Sequence, residues 1–420
     1  MLSEFVRSRP GFAAFRYREY RLFWIAAAFS NIGMWTLVAG RLWLMHELTD
    51  SAIALGLVTL SSLGPILLLS VWGGVMADRV NRLRLVMTTR AMFAALAILT
   101  GVLVAIDLIE PWQLIAISLA TGVLLSFDIP SRQAIMPSLV GREHLAGGIA
   151  MYSFVTTGSA IIGPIFFAPL VKTIGIEGLF FIIGGSYIAT VAIMAAMKPL
   201  RQATGGRRES VLHDLRAGLA YVRRNRVVAG LIIMGIVVGL SGASYQTLLP
   251  IYAEDVLHGD IDEFGGLLLG GGIGAMFGAL LLATFGTTAR TPTIMLPAGV
   301  AFGIALTVLA QVTWLPAAIV AMFFLGTAAA LYSTSNSTIV QTTVDDRYRG
   351  RVMSIHQWTW GASAFGGLIM GAIANAADVQ FALMLGGIVS AIAVAVIASA
   401  ALGRRVLPGR PESAVAAGGD

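Results

Sequence analysis

The sequence predicts an all-α membrane protein whose twelve transmembrane helices form two pseudo-symmetric six-helix bundles. Three observations carry this prediction. Hydrophobic residues make up 57% of the 420 residues and charged residues only 12%, with a mean hydropathy of +0.83. The apolar residues fall into twelve long runs, and the basic residues cluster between alternate runs. A chain this apolar requires lipid as its solvent.

Each apolar run is long enough to cross a bilayer, which takes roughly 20 predominantly apolar residues. The predicted spans lie at about residues 22–46, 53–77, 85–106, 112–130, 145–170, 178–197, 227–252, 264–286, 292–311, 315–340, 352–375 and 379–403. An even number of spans places both termini on the same side of the membrane.

The basic residues predict which side that is. In the twelve-span arrangement, 26 of the 28 Lys and Arg residues fall on one side, and Arg41 and Lys172 lie elsewhere. Because basic residues are retained in cytoplasmic loops, both termini are predicted to be cytoplasmic. The preponderance of Arg over Lys indicates a bacterial source and therefore a bacterial inner (cytoplasmic) membrane. The net charge of +6 belongs to these loops and implies no nucleic-acid partner.

The longest polar stretch divides the spans six and six. It predicts an N-terminal half at residues 1–197, a cytoplasmic linker at 198–226, a C-terminal half at 227–405 and a flexible cytoplasmic tail at 406–420. From Ser210 the linker carries apolar residues at helical spacing, which predicts an amphipathic surface helix. A regulatory or partner-binding role for that helix is the alternative. Residues 1–21 are Arg-rich without an apolar core, so span 1 itself is expected to direct insertion.

The two halves carry a weak internal repeat with an offset of 204 residues. At this offset Ile135, Val140 and Gly163 fall on Ile339, Val344 and Gly367. Both segments cover the region after the fourth helix of a six-helix half. Parallel repeats of six-span halves are an architecture of secondary transporters.

The turn after span 2 is the most specific motif. It brings together Gly74, Asp78, Arg79 and Arg82, with Arg84 close behind. Lipid offers no partner for such charges, so the turn must lie at a membrane surface. The simplest interpretation is that these residues are ordinary cytoplasmic loop charges.

The turn resembles the loop 2–3 signature of the major facilitator superfamily, G-x-x-x-D-R-x-x-[RK]-[RK]; Leu83 departs from that pattern and Arg84 supplies the last charge. Residues 127–134, 248–257 and 346–354 are similar to the branch that contains the enterobactin exporter and macrolide-efflux proteins. The resemblance implies the major facilitator fold, alternating access, export of a small molecule, proton antiport, no cofactor and a monomer. It covers essentially residues 15–405.

The resemblance also implies a conformational latch. Gly74 would allow span 2 to approach a neighbouring helix closely, and Asp78 would cap the start of span 11 near Arg351. Arg79 or Arg82 would then pair with an acidic residue on span 4, for which Asp128 is the candidate, with Arg132 beside it.

Asp128 is the acidic residue that lies well inside an apolar span, and two roles remain open for it. An intramembrane carboxylate is a candidate proton carrier. However, it follows Trp112 by 16 residues, which places it roughly 24 Å down a core of about 30 Å, near the cytoplasmic face. That depth favours a latch.

Arg41 lies at the other end of span 1. The same counting places it at the outer interface, where its guanidinium would snorkel to water or contact an anionic substrate. His46, Glu47, Glu254 and Asp255 are expected in loops.

Near mid-membrane, eight uncharged residues are candidates for a neutral substrate cavity. Helix packing explains any single one of them equally well. The candidates are Asn31, Trp35, Ser61, Ser62, Thr156, Thr157, Trp358 and Trp360.

Span 5 contains Gly158, Gly163 and Pro164, which resemble the glycine-rich motif of exporters and predict a hinge.

The chain has no cysteine, no histidine–glutamate cluster with zinc spacing and no phosphate-binding loop. We therefore predict neither an enzyme nor a metal site. The resemblance implies an exporter of a small amphipathic compound such as a siderophore, drug or metabolite, with proton antiport as the family expectation, and a neutral cavity permits such a compound. An uptake transporter on the same fold, or a non-transporting receptor or enzyme, remains an alternative.

Overall fold

The computed structural model describes residues 10–198, 211–285 and 291–402. Within these ranges the chain is helical and contains no strand. The predicted tail and residues 199–210 of the predicted linker lie outside the described residues.

The first group of helices begins after a 3₁₀ turn and follows the predicted spans 1 to 6. Its members are α1 (Arg18–Leu48), α2 (Ala52–Arg79), α3 (Arg82–Ala105), α4 (Pro111–Leu139) and α5 (Leu145–Ala195). We call the end of the bundle where α1 begins the basic end, and the end where α1 stops the far end.

The amphipathic helix of the linker and the second group of helices follow. They are α6 (Val211–Arg224), α7 (Arg226–Ser241), α8 (Ile261–Phe285), α9 (Thr291–Leu309), α10 (Leu315–Thr343), α11 (Asp346–His356), α12 (Trp358–Ala376) and α13 (Val379–Ile397). After Gly242 the chain continues from α7 through 3₁₀, α and π turns to Val256.

Polar residues between the apolar runs fix where the helices begin. The side chain of Asn81 accepts a hydrogen bond from the Arg84 amide at the start of α3, over 3.0 Å. Glu110 and Gln113 form a reciprocal capping box at the start of α4, and Asn225 caps α7. Each cap satisfies amide groups that have no partner inside their own helix.

Helix α5 is a double pass. Its 51 residues would extend about 76 Å as one helix, more than twice the thickness of the hydrocarbon core. It is interrupted at Gly175, whose φ of 74° and ψ of 169° are not helical. Glycine has no Cβ and adopts this backbone conformation without a steric penalty. The interruption lies between the predicted spans 5 and 6.

Among the described residues, nine helical segments are long and apolar enough to cross a membrane, and the α5 segment is one of them. A shorter apolar helix covers Thr293–Leu309. The protein is therefore a multi-pass membrane protein, while the count of twelve spans stays a prediction.

The helices pack in two groups. In the first, α1 packs on α5, α2 on α4, and α3 on both α4 and α5; in the second, α8 and α9 pack on α10, while α7 packs on α12 and α13. The groups meet mainly where α2 packs on α12 and α5 on α8. The division of the chain into two halves at the predicted boundaries stays a prediction.

The expectation that Gly74 permits close helix packing is wrong for this conformation. A Cβ added at Gly74 would meet nothing within 4 Å, whereas a Cβ added at Gly73 would overlap the carbonyl oxygen of Ser126 on α4. The preceding glycine provides the close approach, because it is the one that faces α4.

The predicted start of span 11 is also corrected. Arg351 lies in the middle of α11, which begins at Asp346, and the apolar helix α12 begins at Trp358 after a break at Gln357. A Cβ on Gly218 of α6 would lie 3.1 Å from Cβ of Arg351. Arg351 therefore packs against the linker helix and does not mark a helix start.

These two glycines provide a matched test of the packing. Gly73→Ala forces α2 away from the α4 backbone and is expected to cost about 1–3 kcal/mol of stability, whereas Gly74→Ala meets open space and is expected to raise stability by about 0.5–1 kcal/mol, because alanine favours the helix. The measurement is the midpoint of thermal unfolding of each purified variant in detergent. Equal midpoints for the two variants would contradict this packing.

Candidate transport pathway and its charged supports

At the far end, aromatic and small side chains close the space between the two groups. The Trp43 ring on α1 stacks on the Phe264 ring of α8, with ring centroids 5.6 Å apart. Phe167 of α5 contacts the Phe264 ring edge-on, with centroids 5.4 Å apart. Next to them, Gly265 lies so close to Ala168 that an added Cβ would be 2.5 Å from the alanine methyl group. We call this set of contacts the far gate.

Two ion pairs lie beside the far gate. His46 of α1 pairs with Glu254, and Lys172 of α5 pairs with Asp262 of α8. The expectation that His46 and Glu254 are loop residues is wrong: His46 lies within α1 and is buried, and Glu254 lies in the helical extension of α7. Because Glu254, Lys172 and Asp262 are exposed, these pairs add little stability and can exchange with water.

Backbone contact between α2 and α12 continues the closure toward the centre. A Cβ on Gly56 would lie 2.7 Å from the Cα atom of Leu368, and a Cβ on Gly371 would overlap the carbonyl oxygen of Ala52. The hydroxyl of Thr59 is 3.1 Å from that of Thr247. Small residues let these helix backbones touch, as is common between membrane helices.

Toward the basic end the contact between α2 and α12 continues to Leu67, whose side chain would overlap a Cβ added at Gly361, and it has ended by Gly74. Gly74 follows Gly56 by 18 residues, which is about five helical turns, so both lie on one face of α2. Nothing lies within 4 Å of a Cβ built at Gly74, at Gly158 on α5 or at Gly350 on α11. Trp358 and Trp360 at the start of α12 are 37% and 59% exposed. The two groups are therefore in contact from the far end to Leu67 and Gly361, and the described residues beyond these include open positions on α2, α5 and α11.

Asp128 of α4 is fully buried in a charged cluster. Its carboxylate accepts hydrogen bonds from Arg90 Nη2 of α3 at 2.8 Å and from Arg132 Nε at 2.6 Å. The Thr89 hydroxyl donates to its other oxygen at 3.0 Å, and Arg132 donates to the Tyr152 hydroxyl of α5 at 2.7 Å. Charge-assisted hydrogen bonds thus join three helices. We call these five residues the Asp128 cluster.

The predicted pairing of Asp128 with Arg79 or Arg82 is wrong in this conformation. Arg82 donates to the carbonyl of Ala134 at 3.0 Å, and Arg79 is exposed. Arg90 pairs with Asp128 instead, because it lies about 12 Å further along α3 than Arg82 and is therefore level with Asp128. Arg84 is exposed, and the side chain of Asp78 lies outside the described residues, so the proposed cap stays a prediction.

The second group carries a neutral counterpart at the 204-residue offset. Asp128, Arg132 and Tyr152 fall on Tyr332, Asn336 and His356. The Asn336 amide donates to the Tyr332 hydroxyl at 3.3 Å and to the Leu231 carbonyl at 3.1 Å, and its oxygen is 3.3 Å from His356 Nε2. The contact of Asn336 with His356 thus corresponds to that of Arg132 with Tyr152, whereas the bond to Leu231 joins α10 to α7 and has no counterpart in the Asp128 cluster.

Arg41 does not reach the membrane surface. It is 4% exposed, and its Nη2 atom donates to the Thr121 hydroxyl of α4 at 2.6 Å. The snorkelling prediction fails because α1 extends seven residues beyond Arg41, to Leu48, and packs on α4 and α5. The guanidinium thus points into the first group.

The other cavity candidates do not form one surface. Asn31 is buried and donates to the Ala27 carbonyl of its own helix at 2.7 Å. Trp35 packs against Gly163, and the carbonyl groups of Ser61 and Ser62 closely face Gly122 of α4. Thr156 donates to the Ser153 carbonyl at 3.0 Å, and the side chain of Thr157 lies outside the described residues.

The predicted hinge residues differ in their surroundings. Thr36 of α1 donates to the Gly163 carbonyl at 3.0 Å, and an added Cβ on Gly163 would be 2.8 Å from that of Trp35. Gly163 therefore packs closely on α1, whereas Gly158 faces open space. Pro164 lies inside α5 without a break in helical geometry, so its role as a hinge stays a prediction.

Sequence reasoning missed Arg90 and the His46–Glu254 pair. Arg90 was counted among the loop charges, although the depth arithmetic applied to Asp128 would have placed it inside span 3. His46 gave no comparable signal, since its partner is 208 residues away. Within the described residues, no group of three or more His, Cys, Asp or Glu residues could hold a metal ion.

The Asp128 cluster predicts an order of stabilities. Asp128→Asn leaves two buried guanidinium groups without a counter-charge and is expected to cost about 3–5 kcal/mol. Arg90→Met leaves the Asp128–Arg132 pair intact and should cost less, and adding it to Asp128→Asn should restore part of the loss. Thermal unfolding in detergent measures all three variants. An Asp128→Asn variant as stable as the parent, or less affected than Arg90→Met, would refute this account.

The fold is similar to solved transporters at low sequence identity. A bacterial homologue of the human lysosomal transporter Spinster aligns with a TM-score of 0.71 and 14% identity over 93% of this chain and 98% of its own. A variant of the nucleoside transporter NupG aligns with a TM-score of 0.73 and 13% identity over 91% and 99%.

Closer relatives in sequence cover most of the chain. The staphyloferrin A transporter of Staphylococcus aureus is 26% identical over 82% of this chain and 86% of its own length. The multidrug efflux pump Tap of Mycolicibacterium fortuitum is 24% identical over 84% and 89%, and the enterobactin exporter of Shigella boydii is 28% identical over 75% and 77%.

A family model described as transmembrane secretion effector matches residues 9–407, nearly the whole chain. The resemblance drawn from the turn after span 2 is thereby confirmed. The chain belongs to this family of the major facilitator superfamily, whose members are multi-pass membrane transporters and not enzymes.

Proposed function

We propose that this protein exports a small amphipathic organic compound, such as a siderophore, drug or metabolite, by alternating access. The observation that carries the proposal is the one-sided contact between the two groups of helices. They are closed by the far gate and by α2–α12 contact, while Gly74, on the same face of α2, is free at the basic end. A pathway open at one end only is what alternating access requires.

The basic end is the cytoplasmic end in this proposal. Basic loop residues are retained on the cytoplasmic side, and the α2–α3 turn with Arg79, Arg82 and Arg84 lies at this end. The described conformation is then inward-facing, ready to receive a compound from the cytoplasm of a bacterium. The far gate faces the outside.

The nature of the compound follows from relatives and from the open surface. Relatives named for export or efflux handle siderophores and antibacterial drugs. The exposed rings of Trp358 and Trp360 and the absence of an exposed carboxylate beside them suit an amphipathic molecule better than a metal ion or sugar. This absence concerns the described part of α12.

Proton antiport is the proposed energy source, and the protein acts as a monomer in lipid. The Asp128 cluster supports a structural rather than a carrier role for Asp128, because two guanidinium groups balance its charge in this conformation. Proton exchange at Asp128 would require the cluster to open in the outward-facing state. The pairing of Arg79 or Arg82 with Asp128 is not part of the proposal.

Export and its dependence on the far gate are tested together. Cells with and without the protein are screened for sensitivity to antibacterial compounds and siderophores, and hits are assayed in vesicles, where export predicts uptake into everted vesicles. The double variant Thr59→Cys/Thr247→Cys is expected to lose more than 90% of transport when oxidised, because the two hydroxyl groups lie 3.1 Å apart across the two groups and a disulfide in their place would hold this closure next to the far gate shut. The chain has no native cysteine to interfere.

Each single-cysteine variant is the control, and reduction of the double variant should restore transport. Accumulation of the hit in right-side-out vesicles instead would establish uptake. Full transport by the cross-linked variant would contradict alternating access at this gate.

Accessibility at the basic end provides a second test. A cysteine at Gly74 is expected to react with a membrane-impermeant maleimide added to everted vesicles and to be protected when a transported compound drives the outward-facing state. Ser126→Cys, at a fully buried position of α4, is the control and should remain unlabelled. Labelling of the Gly74 cysteine from the outside of intact cells would reverse the proposed orientation.

A further inference from the structure

Arg41 is a buried cation with almost no partner. Its side chain is 4% exposed, and its Nη2 atom donates one hydrogen bond to Thr121. Its Nε atom is buried and finds no acceptor among the described residues. The guanidinium therefore has donor capacity that the surrounding helices do not use.

Nearby acidic residues are engaged elsewhere. Glu47, six residues along α1, accepts a 2.7 Å hydrogen bond from Trp43, and Glu254 pairs with His46. No carboxylate of the described residues forms a salt bridge with Arg41, in contrast to Arg90, which is equally buried and pairs with Asp128. A guanidinium cannot lose its proton, so this buried charge requires a compensating anion.

A second unpaired donor lies one turn away on α4. The Ser118 hydroxyl is fully buried and has no hydrogen-bond partner among the described residues. Ser118 precedes Thr121 by three residues, so their side chains are neighbours on the helix surface. Thr121 gives its own proton to the Ile117 carbonyl at 2.9 Å and therefore accepts from Arg41. Thr121 positions the guanidinium, while Ser118 offers a free O–H.

We propose that Arg41 and Ser118 form a binding site for a small monovalent anion of chloride size, held between α1 and α4. The guanidinium supplies the charge and the Nε donor, and the serine supplies a second donor. Met45, one turn beyond Arg41 on α1, and Leu114, one turn before Ser118 on α4, are fully buried apolar residues, so the surroundings of the site are shielded from water. An enclosed site of this kind admits a halide but not the carboxylate of a bulky compound, because the rest of that compound would have no room.

The bound anion would tie α1 to α4 close to the far gate. It neutralises a charge that lipid and protein leave uncompensated, so it should stabilise the folded protein by an amount that grows logarithmically with the anion concentration. This site is separate from the exported compound and does not depend on its identity.

The test uses the purified full-length protein in detergent, with chloride replacing gluconate at constant ionic strength. The unfolding midpoint is expected to rise with the logarithm of the chloride concentration once that exceeds the apparent dissociation constant, and bromide should act similarly. Arg41→Gln should abolish the dependence, and Ser118→Ala should weaken the apparent chloride affinity about ten-fold, as expected for a hydrogen bond to an ion.

Ser126→Ala is the matched control. Ser126 is also fully buried on α4, but its hydroxyl is satisfied by the Gly122 carbonyl at 2.9 Å, so this variant should keep the parent's chloride affinity. The proposal would be overturned by an unfolding midpoint that is the same in chloride and in gluconate, or by a chloride effect that is retained in Arg41→Gln. Should Arg41→Gln fail to fold, anomalous diffraction from bromide-soaked crystals decides: a peak beside Arg41 and Ser118 supports the site, and its absence refutes it.

Discussion

Charge that cannot reach water is the constraint on which this helix bundle depends. Lipid solvates neither ions nor free backbone groups, so each intramembrane charge needs a partner within the protein or a bound counter-ion. Asp128 does so through Arg90 and Arg132, and Tyr152 extends the network to α5. Because these bonds are buried and charge-assisted, α3, α4 and α5 are held as one unit. In the second group, Asn336 makes hydrogen bonds that join α10 to α7 and α11.

Contacts between the two groups are of a different kind. The far gate consists of ring stacking and a close glycine contact, and water can reach the Lys172–Asp262 pair beside it. Such contacts are individually weak and can be exchanged without exposing a buried charge. A molecule with firmly bonded groups and a weakly bonded boundary between them is suited to move by rearranging that boundary. This combination gives alternating access a physical basis in the chain.

Hydropathy and the distribution of Arg predicted the fold well, since both follow from the cost of placing polar groups in lipid. The location of the break near Gly175 and the amphipathic linker helix were also predictable from local pattern. Which residue contacts which on a neighbouring helix was not predictable from local pattern. Gly73 and Gly74 are indistinguishable in sequence, and their order around the helix decides which one meets Ser126.

Depth counting failed for similar reasons. Counting residues along span 1 placed Arg41 at the membrane surface, because such a count contains no information on the continuation of α1 to Leu48 or on the packing of α4 beside it. The same residue count would have placed Arg90 inside span 3, but its charge was grouped with the charges of the loop. The His46–Glu254 pair joins residues far apart in the chain, and nothing in either local sequence indicates the other.

The most direct test of the central claim is a pair of distance measurements by double electron–electron resonance, made possible by the cysteine-free chain. One pair of spin labels would report the basic end, at Arg84 and Arg349, and another the far end, at Leu108 and Trp314. Adding an exported compound together with a proton gradient is predicted to shorten the basic-end distance and lengthen the far-end distance. Distances that both lengthen, both shorten or both stay constant would contradict alternation between two firmly bonded groups of helices.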